Sequence, residues 1–169
     1  MPTTPTRVNR ELLLDFFLTF SRFEYALKAA GFFRRSRRGR YDSRRTPDAE
    51  PDWNSFAVSL QPRFQTNANQ RLRIACEYLL DSPPWKQVIV NGTVAWEPPG
   101  RPRGESNIEF LLRMVRCVRN NLFHGGKHNI GVHETRERTE RLLDGSLIIL
   151  KECLSLAPRV KSKFDQAII

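Results

Sequence analysis

The sequence predicts an all-α fold, a bundle of about five helices interrupted by one small β-hairpin. Three observations carry that expectation. Apolar residues recur at helical spacing in five separate stretches. Residues Gln87 to Trp96 form a strand-like run divided by Asn91-Gly92, a pair that accepts the positive φ angles of a two-residue turn. Between the first two helical stretches lies an Arg-rich segment without apolar period, which reads as loop. A chain of 169 residues fits one domain, 1–169, large enough to bury a core without staples.

The first helix runs from about Asn9 to Ala30, with Leu13, Phe16, Phe17, Phe20, Phe23 and Leu27 at helical spacing and Gly31 as a stop. Glu24 falls on that apolar side, three residues from Leu27 and four from Phe20, where a lone carboxylate is costly. Its charge is met either by water or Arg22 at the stripe edge, or by a buried pair with Arg116 or Arg119. Residues 34–45 then carry eight charges, seven of them Arg, around a single Tyr41. Like charges at that density repel and stay extended until a polyanion arrives. The loop at 33–50 therefore offers Arg34, Arg35, Arg37, Arg38 and Arg40 as RNA contacts, whose guanidinium planes stack on bases as the Tyr41 ring does. A solvated loop that only aids solubility is the plainer alternative.

A second helix starts near Pro51, carries Trp53, Phe56, Ala57 and Leu60 on one face, and fades at Pro62. A third spans about Asn69 to Leu80, using Leu72, Ile74, Ala75, Cys76, Leu79 and Leu80, and Pro83-Pro84 ends it. The hairpin belongs to an insertion at 84–104, whose exit loop holds Pro98, Pro99, Gly100 and Pro102 and closes at Glu105 or Ser106. The fourth helix, about Asn107 to Phe123, turns Ile108, Leu111, Leu112, Val115, Val118 and Leu122 to the core. The fifth, about Glu134 to Leu156, is apolar over a wide arc through Leu142, Leu143, Leu147, Ile148, Leu150 and Leu154, as a helix between helices is. Pro158 closes it. The tail Arg159 to Ile169 is basic, then apolar, and is expected to fray or to dock on a partner chain. No internal repeat is present.

A net charge of +10 and a pI near 10.3 favour a polyanionic partner, because each phosphate neutralised by Lys or Arg releases condensed counterions. No apolar run reaches membrane-spanning length, and no signal peptide or lipidation motif is present, so a cytoplasmic protein without a membrane partner is expected. The odd number of cysteines, Cys76, Cys117 and Cys153, each within a helical pattern, reads as reduced core residues.

The chemistry concentrates at Arg119-Asn120-Asn121-Leu122-Phe123-His124-Gly125-Gly126. Within one and a half turns it holds a fixed cation, an amide and an imidazole that carries protons near neutral pH. Residues four apart share a helix face, whereas residues five apart are rotated by roughly 140°. Asn120 and His124 therefore sit together, and the Asn120 amide is placed to fix the imidazole's tautomer. Arg119 joins them only through its length, a distorted last turn near Gly125, or the symmetry of a dimer. The plainer reading makes Arg119 a helix-end salt-bridge residue and His124 a cap of the last carbonyls. Against it, Arg113, Arg116 and Arg119 lie three apart on a helix that otherwise faces the core, as if something anionic approaches there. Arg116 and Lys127 are candidate RNA contacts.

An Arg-Asn pair, three residues and a His at the end of a helix, in a small, basic, mostly helical chain, resembles the HEPN superfamily and its Arg-x4-6-His motif. The segment Phe20-Ser21-Arg22-Phe23-Glu24-Tyr25-Ala26-Leu27 also looks like the first helix of several HEPN groups. The resemblance implies a HEPN-like bundle and a homodimer in which the motifs of two protomers face each other across a cleft. It implies a metal-independent endoribonuclease with no cofactor, for which the catalytic candidates are Arg119, His124 and Asn120, with Glu24 in a supporting place. It further implies a toxin or antiphage defence effector, restrained by an antitoxin or another defence-system protein. The rival is a non-catalytic HEPN module that binds RNA or a nucleotide and scaffolds a partner. No metal is expected, since Gly125-Gly126 separates His124 from His128 and no Cys or acidic residue joins them and His133 at ligand spacing.

Overall fold

The computed structural model describes residues 8–35, 48–123 and 135–168. In chain order the elements are α1 (Arg10–Ala29), β1 (Phe33–Arg35), β2 (Ala49–Pro51), α2 (Trp53–Leu60), α3 (Gln70–Asp81), β3 (Lys86–Val90), β4 (Thr93–Glu97), α4 (Asn107–Phe123), α5 (Arg136–Leu156) and α6 (Pro158–Gln166). The architecture is mostly helical with a small hairpin, as expected.

Local chemistry sets most boundaries. Asn9 caps α1, its Oδ1 accepting from the N–H groups of Glu11 at 2.9 Å and Leu12 at 3.3 Å. At the other end Gly31 takes a φ of +94°, and Phe32 and Gly31 donate back to the Leu27 and Lys28 carbonyls, closing the helix without a Cβ penalty. Asp52 caps α2 and Asn69 caps α3. Ser106 and Glu109 cap α4 reciprocally: the Ser106 N–H donates to Glu109 Oε2 at 2.9 Å, and the Glu109 N–H donates to Ser106 Oγ at 3.4 Å. In the hairpin, Asn91 and Gly92 both hold positive φ, 51° and 77°, the turn that matches the right-handed twist of β3 and β4.

The buried residues form one continuous core. Helix α5 packs against α1, α3, α4 and α6, which accounts for its wide apolar arc. The crossing with α3 is close because Gly145 has no side chain; a Cβ there would stand 2.8 Å from Leu79 Cδ1. At the other end Trp53 stacks on Phe23 at 5.3 Å and on Phe20 at 5.4 Å, while Phe56 meets Phe23 and Phe32 edge-on. These rings lock α2 to α1.

Three expectations need correction. The described residues hold six helices, not about five: Pro158 ends α5 and also opens α6, because a residue without N–H and with φ near −65° suits a first helical turn. The tail is therefore neither frayed nor free. Val160 is buried, α6 lies along α1, and Arg22 donates to the Phe164 carbonyl at 2.8 Å with its guanidinium 4.2 Å from that ring. The ends of the 33–50 loop are strands, β1 and β2, paired from Phe33↔Pro51 to Arg35↔Ala49. Their ladder was not legible because Arg-rich and Pro-containing triplets carry no strand period. Finally, Ile74 is half exposed and the face of α3 it was assigned to is narrower than drawn.

Replacing Ser106 with Ala removes the Oγ half of the α4 cap, and a loss of about 1 kcal/mol is expected in urea unfolding. Glu109 is held below the usual carboxylate value of 4.5, first by the Ser106 side chain and then by its N–H. A depressed folded-state value stabilises above the unfolded value and is lost as acid protonates the group. The gap between wild type and variant is therefore expected to be largest above pH 4.5 and to shrink below it.

Candidate functional site

Helix α4 positions the site. Ile108, Leu111, Leu112, Val115 and Val118 are buried, which leaves Arg113, Arg116, Arg119 and Asn120 along the edge of that face. Clefts open on both sides of this row.

The first cleft, about 320 Å³, is walled by Phe20 and Glu24 from α1, Arg34 from β1, Glu50 and Pro51 from β2, Trp53 from α2, and Arg116, Arg119 and Asn120 from α4. Five residues singled out in the sequence thus come together: Glu24, Arg34, Arg116, Arg119 and Asn120. The Arg119 guanidinium lies 4.4 Å from the Phe123 ring and 5.7 Å from Phe20, and Phe123 in turn meets Phe17 at 5.0 Å. Stacking on two rings restricts a side chain that is otherwise rich in rotamers. Its Nη1 donates to Asn120 Oδ1 at 3.1 Å. Because arginine only donates, that contact also fixes which end of the Asn120 amide is oxygen. Arg119 and Asn120 thus line the same cleft and touch each other.

Arg116 is half-buried and makes no hydrogen bond or ion pair among the described residues. Burial pulls its guanidinium below the ordinary arginine value, Arg34 adds to that pull, and Glu24 opposes it. It stays charged regardless. Glu24 has no ion pair within 4 Å among the described residues; its Oε1 accepts from Trp53 Nε1 at 3.3 Å. The carboxylate therefore offsets Arg116 across the cleft without a direct pair, while of the other two candidates Arg22 is turned away to Phe164 and Arg119 is held by Asn120 and Phe123. Arg34 stands 3.5 Å from Glu50, an exposed pair of small energetic worth. Arg35 follows Arg34 in β1 and is not among the cleft residues, in keeping with the alternation of a strand.

Arg113 does not belong to the free row. Its Nε and Nη2 grip both Glu105 oxygens at 2.8 and 2.7 Å, and Nη2 also reaches the Gly100 carbonyl at 2.8 Å. The Glu105 hydrogen bonds raise its pKa. Arg113 thus fastens the exit loop of the hairpin, which leaves Arg116 and Arg119 facing the cleft.

The second cleft, about 470 Å³, lies between β3 and α4 and is lined by Lys86, Gln87, Pro99, Arg113, Met114, Arg116, Cys117, Asn120 and Asn121. Arg116 and Asn120 line both clefts. Asn121 Nδ2 donates to the Trp85 carbonyl at 2.7 Å, and Arg138 donates to the Pro83 carbonyl at 2.8 Å, so the base of the hairpin is pinned to α4 and α5. Cys117 is half-buried in this wall, not in the core as its pattern predicts. Cys76 and Cys153 are buried, and burial pushes the Cys76 thiol up to about 12 and the Cys153 thiol upward as well. Lys86, Gln87 and Asn121 escaped the sequence reading because nothing in a strand or helix period shows which elements will face each other.

His124, Lys127, Arg37, Arg38 and Arg40 lie outside the described residues, as do His128 and His133. Helix α4 ends at Phe123, so His124 is the next residue along the chain from the Arg119 stack. Among the described residues no three His, Cys, Asp or Glu side chains cluster as metal ligands, and no helix is long and apolar enough to cross a membrane. Comparison with protein-family models, with curated proteins and with solved structures finds no match.

A half-buried cation without a partner costs stability, and an apolar side chain of similar length removes that cost. Arg116→Met is expected to raise the thermal midpoint by roughly 2–4 °C, corresponding to about 1 kcal/mol. Thermal unfolding of the two proteins under the same conditions checks the sign.

Proposed function

We propose that the protein is a metal-independent endoribonuclease of HEPN type, cutting RNA in a composite site at a homodimer interface and acting as a toxin or antiphage effector. The observation that carries this reading is the Arg119 guanidinium, held between Phe20 and Phe123 against Asn120 in the last turn before His124. A cation with so little rotational freedom meets developing phosphorane charge without reorganising first.

In the proposed reaction His124 takes the proton of the 2′-hydroxyl as that oxygen attacks the adjacent phosphorus. The bond from phosphorus to the 5′-oxygen breaks, and the leaving oxygen receives a proton from His124 of the second protomer. The products are a 2′,3′-cyclic phosphate and a 5′-hydroxyl. Arg119 from each protomer neutralises the non-bridging oxygens through paired N–H donors. Asn120 Oδ1 has two lone pairs, one occupied by Arg119 and the other open to an imidazole N–H, which suits its role of orienting His124. Arg116 and Arg34, with the Arg-rich segment that follows Arg34, hold the strand. An antitoxin or other defence-system protein that covers the cleft belongs to the same reading.

One observation favours a second reading, a module that binds RNA or a nucleotide and scaffolds a partner without cutting. Glu24 and Glu50 stand in the same cleft as the arginines and reduce the field available to a dianionic transition state.

The two separate in an assay of labelled RNA in EDTA. For the nuclease, Arg119→Ala and His124→Ala each lower cutting by about 100-fold or more while binding is largely kept. Removal of the arginines at 34–45 weakens binding and flattens its salt dependence. DNA of the same sequence stays whole, because it lacks the 2′-hydroxyl. Intact RNA under all conditions, with binding retained, selects the binding module.

A further inference from the structure

The hairpin groove has a charge balance that the first cleft lacks. In the first cleft Glu24 and Glu50 stand against Arg34, Arg116 and Arg119. In the groove the cations are Lys86, Arg113 and Arg116, and its lining includes no carboxylate. Arg113 is neutralised from behind by Glu105. The side chains of Lys86 and Arg116 have no hydrogen bond or ion pair among the described residues. Two cations without a close side-chain pair among the described residues, Arg116 offset only from the first cleft by Glu24 and Lys86 across the ladder from Glu97, therefore face a space of about 470 Å³, within the range of about 300–1,000 Å³ typical of ligand clefts. Gln87, Asn120 and Asn121 add amide groups to the same wall. Such amides match the polar edges of an unstacked base.

Continuity with the first cleft identifies what fits. Arg116 and Asn120 stand one turn apart on α4, about 6 Å along the axis, and face both spaces. A ligand confined to one cleft leaves part of their surface unused. A chain with a phosphate at each step occupies both.

We propose that the groove between the β3–β4 hairpin and α4 is a second nucleotide subsite, in which the phosphate next to the scissile one lies between Lys86 and Arg116 and its base lies against Gln87 and Asn121. The strand then crosses α4 over Arg116 and Asn120. This inference rests on the reading of the first cleft as an RNA site. The hairpin becomes part of the binding surface, held to α4 by the Asn121 contact with Trp85 and by the grip of Arg113 on the exit loop.

The test uses the full chain with fluorescent 2′-O-methyl oligonucleotides, which are not cut by 2′-hydroxyl attack. A dinucleotide, with one internal phosphate, fills the first cleft alone; a hexanucleotide reaches the groove. The Lys86 side chain is exposed and makes no hydrogen bond or ion pair among the described residues, so Lys86→Gln leaves the fold intact. The hexanucleotide is expected to bind the variant roughly three- to tenfold more weakly, with a salt slope lower by about 0.7, the value for one phosphate contact on a single strand. Dinucleotide affinity is expected to stay at the wild-type value, and Lys86→Arg to restore hexanucleotide binding. Lys151→Gln, a loss of equal charge in neither cleft, is expected to change neither.

Unchanged hexanucleotide affinity and slope in Lys86→Gln overturn the subsite, as does an equal loss in Lys151→Gln. Cutting of unmodified RNA in EDTA, measured separately, keeps the two ideas apart. If RNA is cut and Lys86→Gln binds normally, the subsite fails alone. If the Lys86 effect appears and no RNA is cut, the nuclease reading fails and the groove stands as a nucleotide subsite of a binding module, beside the phosphate held in the first cleft.

Discussion

Burial of one face of α4 governs everything functional in this molecule. Ile108, Leu111, Leu112, Val115 and Val118 must all enter the core, and each contributes on the order of 1.5–3 kcal/mol when removed from water. A helix so anchored cannot rotate. Its next strip of residues, Arg113, Arg116, Arg119 and Asn120, is consequently held at the surface between the α1–α2 side and the hairpin side. The aromatic stack of Trp53 on Phe20 and Phe23 fixes the opposite wall at a defined distance. The cleft exists because these two packed units meet with charged side chains left between them.

Three arginines of the same strip have three different fates, set by their neighbours. Arg113 finds a bidentate carboxylate and a carbonyl and becomes a fastener. Arg119 finds two aromatic faces and an amide oxygen, which orient it but do not neutralise it. Arg116 finds no partner within bonding distance among the described residues, only Glu24 acting across the cleft. A charge left in that condition works against folding, since burial removes water that nothing replaces. Spacing alone treats the three as equivalent.

The legible and illegible parts divide along physical lines. The bounds of α4, the Asn91-Gly92 turn and the apolar face of α2 follow from interactions within a few residues and hold in the structure, whereas Phe17 on the α1 stripe is exposed and Leu13 and Ile148 are only partly buried. Glu24 was recognisable as a misplaced carboxylate, but its partner, the Trp53 indole, was not, because that contact joins residues 29 apart. Arg116 and Arg119 were visible as candidates. Lys86 was not, since an exposed strand lysine has no signature until the hairpin is known to lie over α4. Helix α6 was missed for a different reason: Pro158 signals both an end and a start, and its nine residues acquire their worth from Val160 and Phe164 against α1.

What the chain alone determined is its helical character, the periods that choose core faces, the caps and turns, and the strong positive charge, because each depends on residues close in sequence or on simple composition. The tertiary structure decided which cations are left without partners and which face a common space. Those properties arise from contacts between distant segments, where one carboxylate or one aromatic ring, brought in by packing, changes whether an arginine holds the fold together or is left facing an open cleft.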